Sequence, residues 1–237
     1  MGSGIYTALS GAVAQGKALD VVAHDVANAS TVGFHAQRLT FEEALSSANA
    51  RATPSVSPGR IAEDTSTGPL RTTGQPLDLA IKGDGYFTIS TDRGVRYTRA
   101  GAFTKNGEGA LVTPNGEPVL DAAGGPIIVP LDAKDVRVTD TGAVMADGVE
   151  AGQIAIARFR PEDVVREGSV LTIRGGAEPL DGATPEVASG ALEESNFSVV
   201  RGMVDLVRVS RTYESLTQMI AGYKEIDTQT ANQLKGG

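Results

Sequence analysis

The sequence predicts a mixed α and β fold. N- and C-terminal helices pair into a coiled-coil-like domain, and a β-rich middle domain lies between them. Three observations carry this expectation. Near the start, apolar residues recur at alternating spacings of four and three, which makes one stripe on a helix. A seven-residue frame appears at the far end. Between about 77 and 185 the period changes to two, and glycine turns interrupt it.

The first helix runs from Ile5 to about Asn28. Its stripe is Ile5, Leu9, Ala12, Gly16, Leu19, Ala23 and Val26. The small members let another helix approach closely. At ~1.5 Å per residue the helix spans roughly 35 Å. It ends at Ser30-Thr31-Val32-Gly33, with Gly33 as the breaker. Residues 45–75 are polar. Ser46-Ser47, Pro54, Pro58-Gly59 and Gly68-Pro69 leave no sustained period, so this stretch reads as a linker or extended arm.

In the middle, Leu77, Leu79 and Ile81 alternate before Gly83-Asp84-Gly85 turns the chain. Phe87 and Ile89 follow, then Asp92-Arg93-Gly94, then Val95 and Tyr97. Further turns fall at Asn106-Gly107, Asn115-Gly116, Gly124-Gly125, Asp140-Thr141-Gly142, Asp147-Gly148 and Gly175-Gly176. Many of these intervals are near the spacing of about 8–12 residues typical of all-β domains. Ile154, Ile156 and Arg158 face one way; Ala155, Ala157 and Phe159 face the other. The stretch from Leu77 to Pro185 is expected to fold alone.

The last helix runs from about Ser198 to Leu234. Val199, Met203, Leu206, Tyr213, Ile220 and Leu234 lie near one frame, and Ser195-Asn196 supplies the cap signal. Gly202 and Gly222 each weaken it by about 1 kcal/mol relative to Ala. Neither terminal helix is stable alone, because helices in proteins are stabilised mostly by packing. The expected division is 1–35 and 191–237 as two helical halves, 36–75 as the arm and 76–190 as the β domain.

Composition narrows the function. The 237 residues include no cysteine, which excludes disulfides, thiolate metal sites and a cysteine nucleophile. The two histidines, His24 and His35, leave little for a zinc site. A net charge of −8 argues against nucleic acid. Glycine is 29 of 237, above the usual ~7%, and aromatics are only 5%, so the core is thin. No run of 18 apolar residues spans a membrane. The first basic residue is Lys17, so no charged segment precedes an apolar run as in a cleaved secretion signal.

Candidate chemistry is sparse. Val138-Thr139-Asp140-Thr141-Gly142-Ala143 holds the Asp-Thr-Gly of aspartic proteases, where two aspartates share a proton, here across a dimer. The same residues make an ordinary hairpin turn. His24-Asp25 reads as a surface pair, because adjacent helical residues do not face each other. Gly83-Asp84-Gly85 lacks the Lys-Ser/Thr of a phosphate loop. No residue is assigned to catalysis, to a cofactor or to a metal.

Several stretches then carry a resemblance. Ile5-Tyr6-Thr7-Ala8-Leu9-Ser10-Gly11 resembles the opening of flagellar basal-body rod proteins. The run from Val22 to Phe34 resembles a motif shared by rod and hook proteins, matching at Asn28, Thr31, Gly33 and Phe34. It departs at His24-Asp25, where the family usually has an Asn pair. Pro76 to Phe87, Tyr97 to Phe103 and Gly109 to Gly116 are similar to the shared β domain. Gly190 to Asn196 and Arg211 to Glu214 resemble the C-terminal motif. The opening and short length look most like proximal-rod members; distal-rod members share the middle motifs.

The resemblance implies a non-enzymatic axial component of the bacterial flagellum, without a cofactor. It implies export through the flagellar type III apparatus without a cleaved signal, and helical assembly in the periplasm. The partners implied are copies of the chain and other axial proteins, with neither nucleic acid nor membrane insertion. Ile5, Leu9, Ala12, Leu19 and Val26 on the first helix, and Met203, Leu206, Tyr213 and Ile220 on the last, are the expected assembly seams. A secreted adhesin-like β module and a dimeric aspartic protease using Asp140 are the competing classes.

Overall fold

The computed structural model describes the backbone of residues 2–44, 55–174, 179–180 and 185–235. The turn expected at Gly175-Gly176 and part of the 45–75 stretch lie outside these residues. The mixed α and β fold expected from the sequence is the one observed: a helix at each end and strands between. The chain forms two compact units, one of residues 1–27, 37–61 and 198–237, the other of 28–36 and 62–197.

In the first unit, α1 (Gly2–Ala27) and α2 (Val199–Lys235) pack along each other. A Cβ on Gly4 would lie 3.1 Å from the Tyr223 hydroxyl. One on Gly11 would lie 3.5 Å from Leu216, and one on Gly16 3.6 Å from Tyr213. As numbers rise along α1 they fall along α2, so the pair is antiparallel. Absence of side chains on α1 admits large ones from α2. Gly202 N donates to Ser198 O at 2.9 Å in the first turn of α2.

β1 (Gln37–Ala44) and β2 (Ser55–Glu63) pair as a two-stranded sheet. Thr40 Oγ1 donates to Arg60 O at 2.9 Å and accepts from Arg60 N at 3.1 Å. The expected arm is therefore partly sheet. Pro58 and Gly59 sit within β2 because a two-stranded sheet has only edges, where a missing N–H is tolerated.

In the second unit, β3 (Leu70–Thr72) pairs antiparallel with β16 (Ala191–Glu193), and β4 (Leu79–Lys82) with β15 (Glu186–Ser189). β3 is exposed throughout, which is why residues 70–72 show no apolar period. A five-stranded sheet runs in the order β12 (Ile156–Ala157), β5 (Tyr86–Thr91), β6 (Gly94–Thr98), β14 (Val170–Ile173), β13 (Val164–Glu167). β9 (Val136–Val138), β10 (Ala143–Ala146) and β11 (Val149–Gln153) form a meander, and β7 (Thr104–Lys105) pairs with β8 (Leu111–Val112). Asp147 and Gly148 join β10 to β11 with φ of 49° and 85°, the paired positive values of a two-residue hairpin turn.

Alternation along 154–159 distributes side chains between two cores. Ile154 and Ile156 join the larger, with Leu79, Ile81, Phe87 and Ile89. Ala157 and Phe159 join the smaller, with Tyr86, Val164 and Leu171. Phe87 meets Phe103 edge-on at 5.1 Å, and Tyr97 meets Phe159 at 4.7 Å.

The compact units divide the chain differently from the sequence boundaries. Residues 62–75 and 191–197 belong with the β-rich unit, since β3 and β16 hydrogen-bond each other. Asn196 does not cap α2; its side chain is spent inside the second unit, described below.

Candidate assembly surface

The stripe read from the sequence of α1 mixes large and small residues, and packing buries mostly small ones. Ala8, Ala12, Ala14, Ala18 and Val21 are buried. Among the residues expected at the seam, Ala12 is buried, Ile5, Leu19 and Val26 are half-buried, and Leu9 is 49% exposed. On α2, Leu206 and Ile220 are half-buried, Tyr213 packs near Gly16, and Met203 is 56% exposed. Two exposed apolar stripes result. One is Tyr6, Leu9 and Val13 on α1; the other is Val200, Met203, Val204 and Val207 on α2. A groove of about 360 Å³ lies between the helices and β1, lined by Ala18, Val21, Leu39, Val209 and Thr212 among others.

Asp25 is a correction to the surface pair expected of His24-Asp25. It is 2% exposed. Its two carboxylate oxygens accept Gln37 N at 3.2 and 3.1 Å, fastening the start of β1 to the end of α1. His24 Nδ1 lies 3.7 Å from Asp25 Oδ1.

The residues that follow α1 enter a knot of buried charge in the second unit. Thr31 N donates to Asn28 O at 2.9 Å, and Thr31 Oγ1 to Asn28 Oδ1 at 3.3 Å, closing a turn. Gly33 has φ of 65°, and a Cβ there would collide with the Arg99–Ala100 backbone. Only glycine meets both demands. Gly33 N donates to Glu193 O at 2.7 Å. Phe34 is buried, with the Arg166 guanidinium 4.7 Å from its ring centre.

Glu193 is at the centre and fully buried. Its Oε1 accepts from His35 Nε2 at 3.0 Å and Gly68 N at 2.9 Å. Its Oε2 lies 2.8 Å from Arg99 Nε, an ion pair outside hydrogen-bond angles. Arg99 also donates to Gly85 O at 2.6 Å and Gly83 O at 2.8 Å. Burial pushes the Glu193 carboxyl up, but the His35 hydrogen bond, the Arg99 charge and Gly68 N–H outweigh it and hold it below its ordinary value. Beside this, Arg166 grips Glu63 through two bonds of 3.0 and 2.7 Å and donates to His35 O at 3.2 Å. Asn196 Oδ1 accepts Ala36 N at 2.8 Å, while its Nδ2 donates to Asp64 O and Ser66 O, each at 2.8 Å. Burial pushes Tyr86 up to about 12, against the opposing pull of Arg99.

The knot joins the motif at Asn28, Thr31, Gly33 and Phe34 to partners the sequence did not single out as a site. Glu193, Arg99 and Asn196 lie within the stretches that carry the family resemblance; Glu63 and Arg166 carry no sequence signal. Asp140, by contrast, is exposed in the turn between β9 and β10, where Gly142 N donates to Thr139 O at 2.8 Å. Among the described residues, no helix is long and apolar enough to cross a membrane.

Comparison with known proteins covers both units. Residues 5–35 match the family described as flagella basal body rod protein. Residues 80–146 match the flagellar hook protein FlgE/F/G D1 domain, and 188–234 the flagellar basal body rod FlgEFG protein C-terminal family. Similar relatives include the flagellar basal-body rod protein FlgF of Rhizobium meliloti (strain 1021), 36% identical over 93% of this chain and 92% of the relative. FlgF of Caulobacter vibrioides is 33% identical over 99% and 98%. FlgG of Bacillus subtilis (strain 168) is 34% identical over 96% and 97%.

Proposed function

Because the chain belongs to the flagellar basal-body rod protein family, FlgF type, a structural family and not an enzyme, we propose that its copies polymerise helically through α1 and α2 to form part of the drive shaft. The single observation that carries this reading is the pair of exposed apolar stripes. Tyr6, Leu9 and Val13 on α1, with Val200, Met203, Val204 and Val207 on α2, remain outside after the helices have packed on each other. Each large apolar side chain moved out of water contributes about 1.5–3 kcal/mol. Stripes on different helices favour contact between unlike surfaces, and repeated head-to-tail contacts that do not close make a filament.

Likeness to the family supports the rest of the proposal. The subunit travels through the flagellar type III export apparatus without a cleaved signal and assembles in the periplasm with other axial proteins. It neither inserts in the membrane nor binds nucleic acid, which its net charge of −8 supports. The seam residues Ile5, Leu19, Val26, Leu206 and Ile220, half-buried within one chain, contribute to both intrachain and interchain packing.

Cysteine cross-linking tests the proposal, since the chain has no cysteine of its own. Leu9→Cys combined with Met203→Cys, expressed in place of the wild type, should give a ladder of disulfide-linked species in isolated basal bodies. Intact basal bodies that contain the double variant and yield only monomer under oxidation would overturn the interface.

A further inference from the structure

Of the buried atoms in the knot around Glu193 that lack a hydrogen bond, Arg99 Nε and Glu193 Oε2 face each other as an ion pair, and one has no such partner. His35 is 2% exposed, and its Nε2 is engaged by Glu193 Oε1 at 3.0 Å. The ring's other nitrogen, Nδ1, is buried and meets no hydrogen-bonding atom of the protein. It needs a partner in either charge state. The neutral ring with its proton on Nε2 presents a lone pair at Nδ1; the imidazolium presents a second N–H.

Beside the ring is a small cavity of about 60 Å³, lined by His35, Thr65, Asp84, Tyr86, Arg99 and Phe159, with Gly85 and Pro161. A water molecule needs roughly 10–15 Å³ of such space and two to four polar partners. Three of the lining residues carry polar groups able to bond a water: Thr65 and Tyr86 a hydroxyl, Asp84 a carboxylate. No protein group, the Arg99 guanidinium included, hydrogen-bonds Nδ1. An apolar cavity of this size stays dry; a polar one with an orphaned nitrogen does not.

We propose that this cavity is a structural hydration site, in which an ordered water bonds His35 Nδ1, bridges it to the polar lining and completes the knot. The ligand class is water alone. The space is too small for a metabolite, and a cation has no reason to choose it: among the described residues no three His, Asp or Glu side chains converge to hold a metal.

The test uses the full chain. In a crystal structure fine enough to order other internal waters, density is expected within hydrogen-bond distance of His35 Nδ1. In solution, a cross-relaxation signal is expected between the His35 ring and a slowly exchanging water. His35→Gln places an amide N–H near the position of Nε2 and deletes Nδ1. It should fold with the Glu193 contact retained, and the water should be gone or shifted towards Thr65 and Asp84. An empty cavity in the wild type overturns the proposal, as does a water that keeps its position unchanged in His35→Gln. Should His35→Gln fail to fold, the wild-type density and cross-relaxation decide alone.

Discussion

His35 and Glu193 are 158 residues apart in the chain and 3.0 Å apart in space, Nε2 to Oε1. That contact ties the segment leaving α1 to the segment leading into α2, because Gly33 N and Asn196 N bond across the same junction, to Glu193 O and Phe34 O. The second unit is therefore closed by the two ends of the chain's own middle. The carboxylate at this junction lies outside the stretch expected to fold alone.

Glu193→Ala should destabilise the second unit severely. It strips a counter-charge from the buried Arg99 and an acceptor from His35 and Gly68 N. Breaking a buried pair by deleting one partner costs about 3–5 kcal/mol, a fall in melting temperature on the order of 10 °C for a unit of this size. Glu193→Gln, which keeps the acceptor oxygen, should lose less. A thermal melt of Glu193→Ala matching the wild type would mean that the knot contributes nothing to stability.

The fragment from Leu77 to Pro185 should not fold cooperatively, contrary to the expectation from its local turns. It lacks β15, the partner of β4, and the whole β3–β16 pair, and it removes Glu193, the counter-charge of Arg99. A longer fragment of residues 62–197 restores all of these, though not His35. Circular dichroism and sedimentation on the two fragments check this; a sharp melt of the shorter one, equal to that of the longer, would refute it.

The difference between what the sequence disclosed and what it hid is one of range. Both helices and the hairpin turns at Asp92-Arg93 and Asp147-Gly148 are local events, written in consecutive residues. The knot is not, because Glu193 in Leu192-Glu193-Glu194 looks like any exposed acid until Arg99 and His35 are brought to it from far away. Part of the buried face of α1, at Ala8, Ala14 and Ala18, escaped for another reason. Apolar periodicity weighs Ile5 and Leu9 above Ala8 and Gly11, yet closely packed helices bury the smallest side chains.

Acid should unfold the second unit by protonating Glu193. Its folded pKa is held below the ordinary value of 4.5, chiefly against burial, by His35, Arg99 and Gly68 N–H. A lowered carboxyl contributes stability that is complete above the unfolded value and lost as pH falls through the folded one. Melting temperature should hold steady down to about pH 5 and then decline. The part of the decline due to this residue should be absent in Glu193→Gln; identical acid limbs would assign it elsewhere.

Asp25→Asn should be nearly neutral and Asp25→Leu should not. The Asn side-chain oxygen still accepts Gln37 N, now bonded by both Asp25 oxygens. Leu removes the acceptor at a cost of about 1–3 kcal/mol. This fits the resemblance, in which an amide commonly occupies the position. Hydrogen exchange at the Gln37 amide is the direct measure: protection should survive in Asn and fall at least tenfold in Leu. Equal protection in both would show that the Asp25 contact is incidental.

Leu9→Asp or Met203→Asp should block rod assembly while leaving the isolated chain folded. Both side chains are about half exposed in one chain, so a carboxylate there can stay hydrated while the antiparallel pairing of α1 with α2 persists. In the assembled shaft the same carboxylate must either lose its water, at several kcal/mol, or hold the neighbouring subunit away. The lesion repeats in every copy, so a modest weakening per contact accumulates. Ala18→Asp is the contrasting case. Ala18 is buried within the chain, so this change should weaken helix pairing in the monomer itself. The monomers can be compared by circular dichroism and hydrogen exchange, and the assemblies by electron microscopy of basal bodies. Leu9→Asp and Met203→Asp should give folded, soluble subunits in cells lacking hooks and filaments. Normal basal bodies built with either variant would place the assembly contact on some other face of the subunit.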